Sequence, residues 1–358
     1  MNGVQGRGRT GYTTGCCAAA AAKAAALALC KKETVKSVTV ALPECRTVQI
    51  TIESVWFDST KGGASVRKDA GDDPDSTHGM LVSVELEQSD ENRFYAGEGV
   101  GTVTLPGLTV AVGEPAINSM PRQMIVQAIQ SVTREKMSIT VSIPGGEAVA
   151  SRTFNPRLGI EGGLSILGTT GIVRPFSTDA IAETIRCSLS IAAARGVKDP
   201  VLVPGNIGRN AALKIFPGSK NRIVEVGNAW DSAMQRIGAF GFRSFTVVGH
   251  PGKLVKLTQT VGDTHSSRSL RAVDILKNYL LDTGISVTED RITTEDLLLS
   301  LDSPVREKLL KDACAQIALS LDKAVKTAAA VKCLCEEVVL VSMSGEVISG
   351  WKRGTKIE

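Results

Sequence analysis

A chain of 358 residues is long for a single hydrophobic core, so its length favours two domains. Its 43% hydrophobic and 4% aromatic content predicts cores of Ala, Val, Ile and Leu, and its 22% charged residues are ordinary for a globular protein. The net charge of +4 is too small and too dispersed to argue for nucleic-acid binding, and it is compatible with an anionic small substrate.

The eight cysteines form no metal-binding pattern. No Cys-x-x-Cys pair occurs, which argues against structural zinc, and scattered single cysteines predict reduced thiols in a cytoplasmic protein. Residues 18–29 are apolar like a lipoprotein signal, but Lys23 interrupts the run and Leu29 is bulky where cleavage needs a small residue. We therefore expect no signal peptide and no segment long enough to span a membrane.

The first predicted element is a helix from about Gly15 to Lys31, in an alanine-rich run that follows Gly-Tyr-Thr-Thr-Gly. Alanine has the highest helix propensity, and a preceding threonine can cap the helix. The helix start, opened by Gly15, is a natural anion pocket. Cys17 would lie in the first turn, where the pKa of a thiol tends to fall; a small buried helix residue is the alternative.

Alternating apolar and polar residues then predict antiparallel strands, at 35–41, 47–55 and 80–86 and again at 138–143. Ser119 and Pro121 predict the start of a second helix. The segment Gly97–Gly101 is similar to a nucleotide loop, but Thr-Val-Thr-Leu-Pro-Gly follows and cannot open a helix, so a glycine-rich strand or bulge is favoured. The N-terminal half is therefore predicted to be an α+β domain.

The densest polar cluster is the loop at residues 66–79, which holds four aspartates and His78. Its spacing does not match a calcium loop, because Gly71 and Pro74 fall in the wrong places. Three interpretations stay open: a solvated turn, carboxylates that position a substrate or act as a base, and a divalent-cation site.

Residues 150–175 are predicted to be a glycine-rich hinge and a ligand site at once. Five glycines alternate with single large aliphatic residues, so the backbone can approach a ligand closely while the aliphatic side chains stay buried. Three arginines, Arg152, Arg157 and Arg174, add positive charge.

After Pro175 the pattern changes to repeated strand, glycine loop and helix. A helix capped by Ser177 or Thr178 comes first, followed by short apolar strands at 200–203, 222–226 and 244–248. This repetition is typical of a parallel, doubly wound sheet, in which ligands bind beyond the carboxyl ends of the strands. Helical periodicity follows from about residue 270 to 331, and a last strand is predicted at 338–343. The predicted fold is thus an α+β domain (1–175) and a doubly wound, Rossmann-like α/β domain (176–358).

The chain resembles the CbiD family of cobalt-precorrin-5B C1-methyltransferases. The resemblance spans most of the chain and is carried by motifs in a fixed order: residues 11–21, 68–79, 97–101, 113–118, 155–173, 249–253 and 264–266. It implies methyl transfer from S-adenosylmethionine to C1 of a cobalt-containing corrin precursor, giving cobalt-precorrin-6A. Two positions depart from the family pattern: Cys16, and Leu270 where an aspartate is expected.

The resemblance implies an anionic corrinoid substrate that carries its own cobalt, and other cobalamin-pathway enzymes as further partners. Charge and hydropathy predict neither nucleic acid nor a membrane as a partner. A base for the ring would come from Asp72, Asp73 or His78. The substrate's carboxylates call for arginines and backbone donors. The residues predicted to bind it are Thr13, Thr14, Gly15, Arg122, Arg152, Asn155, Arg157, Gly168, Thr169, Thr170 and Arg174.

We expect S-adenosylmethionine to bind in the crevice of the second domain, because ligands of doubly wound sheets bind beyond the carboxyl ends of the strands. The residues predicted to bind it are Gly205, Asn206, Gly227, Asn228, Gly249, His250 and Lys253. His250 or His265 could ligate the cobalt axially, although a hydrogen-bonding role is favoured for both. Two other functions stay open. One is a non-catalytic tetrapyrrole carrier or scaffold. The other is a nucleotide-binding phosphotransferase, although this chain contains no Gly-x4-Gly-Lys-Ser/Thr motif to support it.

Overall fold

The computed structural model describes residues 8–43, 46–175, 178–265, 269–287, 293–328 and 333–354. The chain divides into two compact units, Met1–Ser177 and Thr178–Glu358. Ser177, Ser266 and one of the eight cysteines, Cys45, lie outside the described residues.

The first unit is built around an alanine-rich helix, α1 (Thr14–Lys31), which is flanked by β1 (Gly11–Tyr12). Alanine side chains are small enough for the helix to pack closely: a Cβ added at Gly62 would lie 2.7 Å from the carbonyl oxygen of Ala25. The helix ends at Lys31, and the next residue, Lys32, has a left-handed backbone (φ 57°) and closes the last turn.

A five-stranded sheet lies against α1. The strands that follow α1 are β2 (Ser37–Leu42), β3 (Arg46–Thr51), β4 (Ser54–Phe57), β5 (Lys61–Arg67), β6 (Leu81–Ser89), β7 (Arg93–Ala96) and β8 (Thr102–Val103). The unit continues with α2 (Ser119–Gln130), β9 (Lys136–Ser142), α3 (Gly146–Ala150), β10 (Ile160–Glu161) and β11 (Ile172–Val173). The sheet order is β4-β5-β6-β9-β7, antiparallel except for the β7–β9 pair.

By length and composition alone, helix α1 is long and apolar enough to cross a membrane. The expectation that no segment reaches that length is therefore wrong. Thirteen of its 18 residues are nevertheless buried within the first unit. The hydrophobic core formed by α1, α2 and the sheet accounts for this apolar character.

The second unit contains a sheet in the order β13-β12-β14-β15-β16. Its elements are α4 (Thr178–Ala194), β12 (Val201–Val203), α5 (Asn206–Ile215), β13 (Ile223–Glu225), α6 (Trp230–Ile237), β14 (Ser244–Gly249), α7 (Pro251–Leu254), α8 (Ala272–Asp282), α9 (Thr294–Ser300), α10 (Ser303–Ala328), β15 (Leu334–Val341) and β16 (Val347–Lys352). The first four strands in this order are parallel to one another, and β16 is antiparallel to β15.

Side chains on alternate positions of these strands enter two separate cores. Leu202 and Val247 lie in the larger core, together with residues of α4, α6, α8 and α10. Val201 and Val203 lie in the smaller core, together with Ala211 and Ala212 of α5. Both faces of the sheet are thus covered, and the carboxyl ends of the parallel strands meet at one edge.

Candidate functional site

Three segments of the first unit meet at the start of α1. Strand β1 pairs with β11, and the backbone N–H of Thr13 donates to Gly171 O at 3.0 Å. The N–H of Tyr12 donates to Asp69 O at 2.7 Å, which joins the acidic loop to the same place. The motifs at 11–21, 68–79 and 155–173 therefore converge on one region.

The first turn of α1 is held by threonine side chains. Thr13 Oγ1 accepts from the N–H of Cys16 at 3.1 Å, as an N-cap does. Thr14 Oγ1 accepts from the N–H of Leu167 at 2.9 Å, and the N–H of Gly15 donates to Leu167 O at 2.9 Å. The amides of Gly15 and Cys16 thus have partners within the chain, so an anion at this helix start would have to use other donors.

Glycine permits the close backbone contacts in this region. Gly168 has φ +132°, and a Cβ there would lie 2.2 Å from Thr13 Oγ1. A Cβ at Gly11 would lie 2.1 Å from the carbonyl carbon of Ala70. Both distances are far below a van der Waals contact, so neither position can carry a side chain without displacing its neighbour.

The acidic loop is tied to the segment before β1 by charge. The guanidinium of Arg9 makes two hydrogen bonds to Asp69, at 2.5 and 2.9 Å, and the backbone N–H of Arg9 donates to Asp72 Oδ2 at 2.6 Å. The hydrogen bond from Arg9, followed by that from the Gly71 amide, lowers the pKa of Asp69 to about 2. Asp72 is exposed. Asp73 is partly exposed and interacts with another group of the protein.

His78 lies at the end of the same loop and is exposed. Its Nδ1 accepts from the N–H of Ala70 at 3.1 Å. Because Nδ1 is an acceptor, the neutral ring carries its proton on Nε2, which can donate to a ligand. This geometry favours a hydrogen-bond donor at His78 over a general base, and leaves Asp72 and Asp73 as the stronger base candidates.

Beneath the loop lies a buried ion pair. Lys68 is 1% exposed, and its Nζ lies 2.6 Å from Asp75 Oδ2. Cys17 is buried nearby, and burial raises the pKa of its thiol to about 12, with Lys68 opposing the rise. The expectation of a lowered thiol pKa at Cys17 is therefore wrong, because desolvation outweighs the helix start; the alternative, a small buried residue, describes it.

Two residues predicted to bind substrate have their side chains engaged by the first unit itself. The guanidinium of Arg122 donates to Ile117 O at 2.8 Å and to Glu114 Oε2 at 3.2 Å. Asn155 is buried; its Nδ2 donates to Gly163 O at 3.4 Å, and its Oδ1 accepts from Ser165 Oγ at 3.2 Å. Both residues hold loops in place, a role that their residue types alone did not indicate.

Other predicted substrate-binding residues are exposed. The guanidinium of Arg157 lies 5.1 Å from the ring centroid of Phe154. The exposed members of the predicted set are Arg152, Arg157, Thr169, Thr170 and Arg174. These side chains are accessible to a ligand from solvent, whereas those of Arg122 and Asn155 are committed to the fold.

In the second unit, the predicted donor-binding loops follow the carboxyl ends of parallel strands. Asn228 Oδ1 accepts from Lys253 Nζ at 3.0 Å and from Thr264 Oγ1 at 3.3 Å, which links the loops after β13 and β14. A Cβ added at Gly205 or Gly227 would meet nothing within 4 Å. There is therefore open space beside the backbone at both of these glycines.

Gly249 and Asn206 complete this edge. A Cβ at Gly249 would lie 2.9 Å from the Pro204 ring, so the glycine permits two loops to pack closely. Asn206 is the first residue of α5 and is exposed. We refer to the segments 204–206, 227–229, 249–256 and 263–265 as the carboxyl-edge crevice.

His250 is used within this edge as a helix cap. Its Nδ1 accepts from the N–H of Gly252 at 3.0 Å, and its Nε2 lies 2.6 Å from Glu295 Oε1. Burial lowers the pKa of His250, and Glu295 opposes that shift. Both ring nitrogens are therefore occupied by the chain, which favours the hydrogen-bonding role over axial ligation of cobalt.

Lys256 is a polar residue of this edge that sequence reasoning missed. It lies one turn after Lys253, in the short 3₁₀ helix Val255–Thr258, and is 7% exposed. Its Nζ donates to Thr264 O at 3.2 Å and to Ser269 Oγ at 3.1 Å. The one signal in the sequence is the recurrence of lysine at 253 and 256, which by itself does not distinguish a buried lysine from an exposed one.

Within the described ranges, no group of three His, Cys, Asp or Glu side chains could hold a metal ion. The acidic loop shows no such cluster in its described positions. Elsewhere among the described residues, a surface cavity of about 830 Å³ lies between Asp231, Gln259 and Lys323, and another of about 450 Å³ lies beside Tyr95 and Glu114.

Comparison with known proteins places these motifs in a family. The CbiD family model matches residues 2–175. A cobalt-precorrin-5B C(1)-methyltransferase of Syntrophotalea carbinolica is 42% identical, over 86% of this chain and 87% of the relative. The protein of the same name from Methanococcus maripaludis is 36% identical, over 87% of this chain and 92% of the relative.

A solved structure of a cobalamin biosynthesis protein (cbiD) from Archaeoglobus fulgidus is 27% identical to this chain. The match covers 78% of this chain and 86% of the chain in the solved structure, with a TM-score of 0.40. On the sequence identity to the curated relatives, which extends over most of both chains, this chain belongs to the CbiD family of cobalt-precorrin-5B C(1)-methyltransferases.

Proposed function

We propose that this protein transfers a methyl group from S-adenosylmethionine to C1 of cobalt-precorrin-5B, giving cobalt-precorrin-6A in anaerobic cobalamin biosynthesis. The observation that carries the proposal is the 42% identity, over 86% of the chain, to a relative named for this reaction. The protein is accordingly a methyltransferase that works on a small corrinoid in the cytoplasm.

The acceptor binds to the first unit in this proposal. The corrin precursor carries acetate and propionate carboxylates, which arginine recognises by paired hydrogen bonds. The exposed Arg152, Arg157 and Arg174 in the segment 150–175 supply that charge. The cobalt arrives with the substrate, and the macrocycle already supplies its equatorial ligands.

The donor binds to the second unit, which we assign to the doubly wound, Rossmann-like class. Parallel strands with both faces covered place ligands beyond their carboxyl ends, at the carboxyl-edge crevice. The open space beside Gly205 and Gly227 leaves room for a ligand against the backbone, and Asn228 and Lys253 offer polar groups that fit it. When bound, S-adenosylmethionine supplies an electrophilic methyl group on a sulfonium.

The chain's own contribution is alignment and exclusion of water. Displacement at the sulfonium carbon requires the attacking ring carbon and the departing sulfur to lie in line, and the sulfur leaves as a neutral thioether. If the ring loses a proton after attack, Asp72 or Asp73 accepts it. The close backbone contact of Gly11 with Ala70 restrains the loop that carries these two aspartates.

Binding experiments separate this proposal from its rivals. Calorimetry with S-adenosylhomocysteine, alone and with the corrin substrate, should show binding in the micromolar range, typical of a small-molecule site. ATP should not bind under the same conditions. Absence of S-adenosylhomocysteine binding in both titrations would contradict the proposal, and ATP binding would favour the nucleotide-binding alternative.

A further inference from the structure

Lys256 is a buried cation whose hydrogen-bond partners are neutral. Only 7% of the residue is exposed, and its Nζ donates to a backbone carbonyl, Thr264 O, and to a hydroxyl, Ser269 Oγ. Across the residues whose positions are described, no carboxylate lies within 4.0 Å of this Nζ. Within this described part of the chain the ammonium group is therefore held by dipoles, and the carboxylate of Asp263 acts on it only from beyond ion-pair distance.

A second cation stands close to the first. Lys253 Nζ also donates to a neutral oxygen, Asn228 Oδ1, at 3.0 Å. Burial lowers the pKa of Lys256, the charge of Lys253 lowers it further, and Asp263 opposes them more weakly. Among the described residues, Lys253 and Asp263 are the charged groups that shift the pKa of Lys256, and on balance with burial the shift is downward.

The two lysines belong to the carboxyl-edge crevice. Thr264, which accepts from Lys256, donates its backbone N–H to Asn228 O at 3.1 Å and its hydroxyl to Asn228 Oδ1 at 3.3 Å. Asn228 in turn accepts from Lys253. One hydrogen-bonded network therefore joins both ammonium groups to the loop that follows β13.

Burying an ammonium group without a contacting counter-charge is unfavourable, and the cost falls when an anion binds beside it. We infer that Lys256, with Lys253, binds a carboxylate of the ligand held in the carboxyl-edge crevice. This inference rests on the proposed function, because that function determines which ligands can occupy the crevice. Two of them carry carboxylates: the methyl donor, on its methionine end, and the corrin, on its acetate and propionate arms.

Calorimetry on the full-length protein tests this inference with three probes: S-adenosylhomocysteine, 5′-methylthioadenosine, which has the same nucleoside but no carboxylate, and a corrinoid with free carboxylates. Lys256→Met should weaken the binding of one carboxylate-bearing probe by roughly ten- to hundredfold, the range expected for a lost charged hydrogen bond. The affinity for 5′-methylthioadenosine should not change. Whichever carboxylate-bearing probe is weakened identifies the source of the carboxylate.

Two further variants control for folding and for general charge. Lys256→Arg keeps the cation and should retain most of the affinity. Lys214→Met removes an exposed lysine of the same unit, 3.7 Å from Glu346, and should leave all affinities unchanged. The melting temperature of Lys256→Met should not fall by more than a few degrees, because the substitution removes a buried charge that lacks a counter-ion.

A direct readout is proton uptake, because an anion beside Lys256 raises its pKa. Titrations of the carboxylate-bearing probe that Lys256→Met weakens, in two buffers of different ionisation enthalpy, should show uptake at alkaline pH in the wild type and less in the variant. Unchanged affinity of Lys256→Met for both carboxylate probes would overturn the inference while leaving the proposed function intact. Failure of the wild type to bind any probe would instead overturn the proposed function, and the inference with it.

Discussion

Gly168 lies directly against the side chain of Thr13, so that a Cβ at Gly168 would be 2.2 Å from Thr13 Oγ1. Thr13 caps α1, and Gly168 belongs to the segment that we expect to contact the corrin. The contact joins the start of the central helix of the first unit to its glycine-rich segment. A disturbance at Gly168 therefore reaches the helix cap as well as the site.

Gly168→Ala should lower both stability and turnover. The substitution adds a clash with Thr13 to the strain of φ +132°, and together these should cost roughly 2–4 kcal/mol of unfolding free energy. Gly162→Ala is the matched control, because Gly162 also has positive φ (+79°) but a Cβ there meets nothing within 4 Å. Urea unfolding compares the two variants, and equal stability would show that the predicted clash is absent.

Arg157→Ala and Asn155→Ala should separate binding from folding within one short segment. Arg157 is exposed, so its removal should raise KM for the corrin and leave the melting temperature nearly unchanged. Asn155 is buried, with its amide bonded to Gly163 and Ser165, so its removal should cost about 1–3 kcal/mol of stability. If Arg157→Ala keeps full turnover with an unchanged KM, the segment is a linker and not part of the substrate site.

The Arg9–Asp69 pair should make stability depend on acid pH. The folded-state pKa of Asp69, about 2, lies below the ordinary value of an aspartate, so the pair's contribution is complete above about pH 4 and is lost as pH falls towards 2. Asp69→Asn should therefore show a shallower loss of stability between pH 5 and pH 2.5, measured by urea unfolding. Identical pH profiles would mean that solvent screens the pair completely.

His78 and the neighbouring aspartates should give different kinetic signatures. His78→Gln should raise KM and leave the pH profile of kcat in place, because His78 offers a hydrogen-bond donor through Nε2. Asp73→Asn or Asp72→Asn should lower kcat by about 10²- to 10⁴-fold if that carboxylate accepts the ring proton. A collapse of kcat in His78→Gln with unchanged KM would assign the base to His78.

Local sequence signals predicted the elements whose stability is local. Helix α1 begins within one residue of the prediction, because its alanine run and the Thr13 cap act within the helix itself. The three short parallel strands of the second unit lie at the predicted positions, since apolar runs bounded by glycine mark them clearly.

Other elements depend on contacts that the sequence does not display. Strand β5 was missed because Gly62 and Gly63 have low strand propensity; in the fold, a Cβ at Gly62 would strike α1 and one at Gly63 would strike the Trp56 ring. Strands β7 and β16 were missed as well. The same limit applies to the site, since residue type alone could not tell that Arg122 is used internally while Arg157 is exposed.

Turnover with S-adenosylmethionine labelled with ¹³C at its methyl group tests the central claim most directly. Purified protein is incubated with cobalt-precorrin-5B, and the corrinoid is isolated and examined by NMR and mass spectrometry. We expect one labelled methyl group on C1, with one equivalent of S-adenosylhomocysteine released. Tight binding of the corrinoid without label transfer or S-adenosylhomocysteine would contradict it and identify the protein as a carrier.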